Sequence, residues 1–85
     1  MAIRSDGTAI NDTTYTKVGD NVTAFTAIEN YVGSIRVVVT DVGDGTPSAS
    51  EANHIPLDGV FKWQDGAVDI WMISPNGATT VYGAV

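Results

Sequence analysis

Val60-Phe61-Lys62-Trp63-Gln64-Asp65-Gly66-Ala67-Val68-Asp69-Ile70-Trp71-Met72-Ile73 is the stretch whose reading decides the fold. Apolar and polar residues alternate along much of it, and Val, Ile and aromatic side chains dominate, which is the pattern of strand rather than helix. Asp65-Gly66 is the dipeptide favoured in two-residue hairpin loops. A loop there sets Trp63 opposite Val68, Lys62 opposite Asp69 and Phe61 opposite Ile70. Phe61, Trp63, Val68, Ile70 and Met72 then share an apolar face, while Lys62 and Asp69 meet as an ion pair on the other. Trp71 and Ile73 fall on the face of that ion pair. The two Trp residues therefore point to opposite sides of the sheet, and only one enters the main core.

Working outward, strand signals recur at 13–18, 22–28 and 34–40, separated by turn formers at Gly19-Asp20-Asn21 and 30–33. Residues 41–54 are small, polar and turn-rich, a long loop of the kind that carries function or moves. A short strand at 55–57 and a last one at 78–85 complete the series. Between Trp71 and Tyr82, Ser74-Pro75-Asn76-Gly77 allows two registers: a type I turn with a Gly bulge, or a two-residue Asn-Gly loop that pairs Trp71 with Tyr82. Both stay open. Residues 1–12 read as an arm or edge strand outside the core, and 13–85 as one β domain. The expected class is all-β, a small antiparallel β-sandwich or jelly-roll-like barrel with an N-terminal arm.

Composition narrows the function. Four basic and ten acidic residues give a net charge of −6, which repels phosphate backbones and argues against nucleic-acid binding. No apolar run is long enough for a membrane helix, and Met1-Ala2-Ile3-Arg4-Ser5-Asp6 does not resemble a secretory signal. With no Cys, thiolate metal sites, disulfides and thiol nucleophiles are excluded.

Few residues suggest chemistry. His54, the one histidine, reads as a surface or hydrogen-bonding residue at the end of the loop rather than a general base. Asp41 and Asp44 sit on a Gly-rich turn that faintly resembles a calcium loop but lacks its alternate-position ligands. Asp58, Asp65, Asp69, Glu29 and Glu51 are mostly turn or loop carboxylates, not a glycosidase pair. Asn11-Asp12-Thr13 and Asn21-Val22-Thr23 match the glycosylation acceptor pattern and read more economically as turn residues. No cofactor, metal or catalytic site is expected. Trp71 stands out: its ring is covered by a second sheet of the same chain, covered with Ile73 and Tyr82 by another subunit, or left exposed to stack on a sugar, and of the last two the subunit contact is favoured.

Ile28-Glu29-Asn30, Gly33-Ser34-Ile35-Arg36-Val37-Val38-Val39, Ile55-Pro56-Leu57-Asp58-Gly59-Val60-Phe61, Ile70-Trp71-Met72-Ile73-Ser74 and Ala78-Thr79-Thr80-Val81 together resemble small virion accessory proteins of tailed bacteriophages, over residues 25–85. The resemblance implies a compact β-sandwich or jelly-roll body. Its role would be capsid-decorating (cement) or tail-associated, carried by the virion in multiple copies after assembly in the host cytoplasm. Partners would be a major capsid or other virion protein and further copies of the chain, with a trimer favoured. On this reading Ile3, Arg4 and Ile10 belong to an arm that orders against a neighbour and is dispensable for the isolated fold, while residues 35–39 form the inner wall. The competing reading is a receptor- or carbohydrate-binding module of a tail or surface appendage. There Trp71 and Tyr82 stack on a sugar, and Asp41, Asp44 and His54 supply polar contacts.

Overall fold

The computed structural model describes residues 7–28, 35–57 and 59–84. They form seven strands and, among the described residues, no helix: β1 (Thr8–Ile10), β2 (Thr16–Ile28), β3 (Arg36–Asp41), β4 (Ile55–Pro56), β5 (Val60–Ile73), β6 (Thr79–Val81) and β7 (Gly83–Ala84). All pairings are antiparallel, in a five-stranded sheet of order β4-β3-β5-β2-β7 and a two-stranded sheet β1-β6. The chain is an all-β antiparallel sandwich.

The expected hairpin at Asp65-Gly66 is not made. Gly66 is not among the residues with positive φ, whereas the common loop for Asp-Gly needs positive φ at both central positions. β5 instead runs on as one strand, and its partner is β2. The apolar face survives for a different reason. Between the pairs Val22↔Val68 and Ala24↔Gln64 the ladder slips, β2 advancing two residues while β5 passes four. Residues 64–67 are exposed in this bulge, and the Trp63 indole Nε1–H donates to the Gly66 carbonyl at 3.0 Å. A bulge breaks the period of two, so Phe61 and Trp63 end up on the same core as Val68, Ile70 and Met72.

β2 is likewise one strand where the sequence suggested two. Gly19-Asp20-Asn21 is absorbed as a bulge, with Asn21 in the left-handed region at φ 52° and register shifts around Gly19. After a turn closed by Gly77 N–H to the Ser74 carbonyl at 3.1 Å, β6 pairs with β1 and not with β5. Neither register considered for Trp71 and Tyr82 is formed. β7 then returns to the far edge of β2, setting Gly83 opposite Ala27 and Ala84 opposite Thr26.

The main core lies between the two sheets. Ile10 and Val81 from the small sheet meet Val18, Val22, Phe25 and Ala27 of β2, Val37 of β3 and Ile70 and Met72 of β5, with Ile35 and Leu57. Of the expected inner wall at 35–39, Ile35, Val37 and Val39 face this core, whereas Val38 belongs to a second cluster. Ile10 is 3% exposed, which corrects its assignment to a free arm. β1 is an edge strand whose inward residue fills the core, so removing residues 2–11 would open the body, not merely trim it. Ile3 and Arg4 lie outside the described residues.

Gly83 is a packing requirement. A Cβ built there would stand 2.6 Å from Phe25 Cζ and 2.9 Å from Cε1. Gly83→Ala is expected to cost about 1–3 kcal/mol, the usual range for forcing extra volume into a packed core; urea denaturation measures it, and an unchanged midpoint would show that the Phe25 ring is free to move aside.

Candidate functional site

Alternation along β5 places Asp69, Trp71 and Ile73 on the face opposite Val68, Ile70 and Met72, so the sequence-derived placement of Trp71 holds. Its own chain covers it. Trp71 is 5% exposed and packs with Tyr15, Val38 and Ile73 of its own chain in a second buried cluster. Val38 faces it across the β3 ladder and Lys17 across the β2 ladder. Its Nε1–H donates to Thr40 Oγ1 at 3.0 Å, and the Lys17 ammonium lies 5.1 Å from the ring centroid, within cation–π range. No companion subunit is needed over this indole, which one protomer buries by itself.

Asp69 organises that second face. It is 1% exposed and pairs with Lys17 at 3.3 Å, not with Lys62, which is exposed. The correction follows from the missing hairpin: Lys62 lies opposite Thr26 of β2, while Asp69 lies opposite Thr40 of β3. Asp69 Oδ1 accepts from Asn21 N–H at 2.9 Å and Oδ2 from Gly43 N–H at 3.2 Å. One carboxylate thus fixes the β2 bulge and the start of the loop after β3. The Asn21 amide, then the Gly43 amide and the Lys17 ammonium, hold the Asp69 carboxyl below its ordinary pKa against the opposing effect of burial. The hydrogen bond to Asp69 does most to push the Lys17 ammonium up.

The loop from Val42 to His54 is tied to this face at its start. Gly43 N–H donates to Asp69, and burial pushes the Tyr15 phenol up. Tyr15 Oη and Ser74 Oγ are buried without a hydrogen-bond partner among the described residues.

The remaining sequence candidates do not converge. Asp41 ends β3 and shares a turn with Asp44, whose N–H donates to the Asp41 carbonyl at 3.2 Å. His54 stands at the other end of the loop; its Nδ1 lies 2.9 Å from the Glu51 carbonyl and donates to it. Tyr82 is 54% exposed beside Thr80 at the small sheet, where its ring would meet a Cβ on Gly7. It is not joined to buried Trp71 and Ile73, so the sugar-stacking platform expected from Trp71 with Tyr82 is not formed. Asn11 serves its own turn, its Oδ1 accepting from Thr13 and Thr14 N–H at 3.0 and 2.7 Å.

The structure adds a feature the sequence did not announce. An open cleft of about 440 Å³ runs along residues 18–24 of β2, on the stretch adjoining Thr26 and Ala27, where β7 pairs. Its sequence trace is Gly19-Asp20-Asn21, read as a turn because Gly, Asp and Asn favour turns, and used here to bend a continuous strand. The described residues thus form a small antiparallel sandwich. Comparison with family models, curated proteins and solved structures finds no match to this chain.

Proposed function

We propose that the protein is a structural virion protein that decorates the capsid surface of a tailed bacteriophage in multiple copies. Support comes from the resemblance over residues 25–85 and from how the chain uses its polar groups. The observation that carries the reading is that Asp69, the buried carboxylate among the described residues, is spent on tying a bulge and a loop to the sheet. Trp71 is likewise spent on internal packing. What the body offers outward is a strand edge, an exposed bulge and an acidic surface, features suited to attachment.

Co-sedimentation of the purified protein with phage particles stripped of accessory proteins tests this. Binding that saturates at a fixed number of copies per capsid is the expected result. A chain that stays in the supernatant at every concentration overturns the proposal.

A further inference from the structure

We infer that Asn76 is a self-modifying position: its side chain cyclises onto the Gly77 nitrogen with loss of ammonia, and the isoaspartyl product loosens β6 from β1. The site stands whether or not the chain decorates a particle. Asparagines occur at 11, 21, 30, 53 and 76, and Asn76 alone precedes a glycine. A following glycine has no Cβ to obstruct the approach of its nitrogen to the side-chain carbonyl. Asn76 is exposed, and a Cβ built on Gly77 would meet nothing within 4 Å. The turn itself demands that glycine, since φ at Gly77 is 139°, a conformation that residues with a side chain rarely adopt. The attacking nitrogen gives up one hydrogen bond, from Gly77 N–H to the Ser74 carbonyl at 3.1 Å, at the long end of the usual range and in a surface turn that opens at low cost. Asn11, by contrast, has its side-chain oxygen held by the Thr13 and Thr14 amides.

The step needs only water. The Gly77 nitrogen bonds to Asn76 Cγ and the Cγ–Nδ2 bond breaks. The Gly77 proton, passed through water, leaves with Nδ2 as ammonia, and a succinimide ring remains. Water then opens the ring at either carbonyl. One opening gives an ordinary aspartyl link; the other carries the chain through the former side chain, an isoaspartyl link with one more carbon in the backbone. That carbon enters a segment held at both ends. Ser74 N–H donates to the Asn11 carbonyl at 2.9 Å before the turn, and Thr79 pairs with Ile10 after it. Lengthening the chain between these two ties shifts β6 against β1 or breaks one of them. Ile10 and Val81, inward residues of the two strands, are buried in the main core, so the change reaches the interior.

The test is incubation of the whole folded chain in warm, mildly alkaline buffer, followed by peptide mapping with mass spectrometry and enzymatic methylation of isoaspartyl groups. Conversion at Asn76 is expected to run about tenfold ahead of every other asparagine, because only there does a residue without a side chain follow. Asn76→Gln should abolish it, since closure from the longer side chain is slow, and should leave the spectrum of the fresh protein folded. Fresh Asn76→Asp carries the new charge without the extra carbon. The aged isoaspartyl fraction should unfold at lower urea than that variant, and its amides at residues 8–10 and 79–81 should exchange faster. An Asn76 that stays intact while other asparagines convert, or that converts in the urea-unfolded chain and never in the folded one, overturns the proposal. An isoaspartyl fraction with the same urea midpoint and amide exchange as fresh Asn76→Asp overturns the loosening of β6.

Discussion

Trp71→Ala is expected to remove about 3–5 kcal/mol of stability, the range for deleting a large buried aromatic side chain. Domains have only about 5–15 kcal/mol in total, and this chain is at the small end, so the variant should be partly or wholly unfolded at room temperature. The loss has identifiable parts: packing against Tyr15, Val38 and Ile73, the bond to Thr40 Oγ1 and the Lys17 contact. Trp71→Phe keeps a ring and much of the packing and should cost distinctly less. Urea titrations followed by circular dichroism give both values. A Trp71→Ala midpoint equal to that of the unsubstituted protein would mean that the indole is not buried within one protomer.

The second large effect is expected at Asp69. Asp69→Ala leaves the Asn21 and Gly43 amides and the Lys17 ammonium without their acceptor and should lower the thermal midpoint more than removal of any exposed carboxylate, because breaking a buried charge network strands its partners. The same group predicts an acid limb. A carboxyl whose folded pKa lies below its unfolded value contributes stability above the ordinary Asp range, about 3.9, and loses it as pH falls through the lower folded value. Lys17, pushed up in the folded chain, contributes at all pH values below the ordinary Lys range, about 10.4, and loses its share as pH rises through its higher folded value. Asp69→Asn should flatten the acid limb, and it should weaken the Lys17 limb as well, since the bond to Asp69 does most to raise that ammonium. Urea midpoints measured between pH 2.5 and 7 check the acid limb; superimposable profiles for Asp69→Asn and the unsubstituted protein would show that other carboxylates set the acid response.

Class and core membership were legible because they depend on local alternation. Phe61, Trp63, Val68, Ile70 and Met72 share a core as their pattern indicates, and Trp71 lies across the sheet from them. Pairing was not legible. Asp65-Gly66 and Gly19-Asp20-Asn21 carry the composition of reversing turns, yet each is a bulge in a strand that continues, β2 and β5 pairing with each other along their length. Local turn chemistry yields to long-range packing at both places, and with it went the Lys62–Asp69 pair and the registers of Tyr82. Ile10 was misplaced for a related reason: its strand partner, β6, lies at the other end of the chain, a contact no local window contains. The role of Asp69 did leave a signal, a lone carboxylate inside the run Val68-Asp69-Ile70-Trp71-Met72-Ile73. An acid in so apolar a strand calls for buried partners, although alternation alone does not say which.

One protomer covers Trp71 by itself. Acrylamide quenching of Trp71 fluorescence in a Trp63→Phe background, at dilutions where sedimentation gives the 8.9 kDa monomer, tests that directly. Blue-shifted emission and weak quenching that do not change with concentration are predicted. Red-shifted, readily quenched emission in the monomer, becoming shielded only on association, would contradict it.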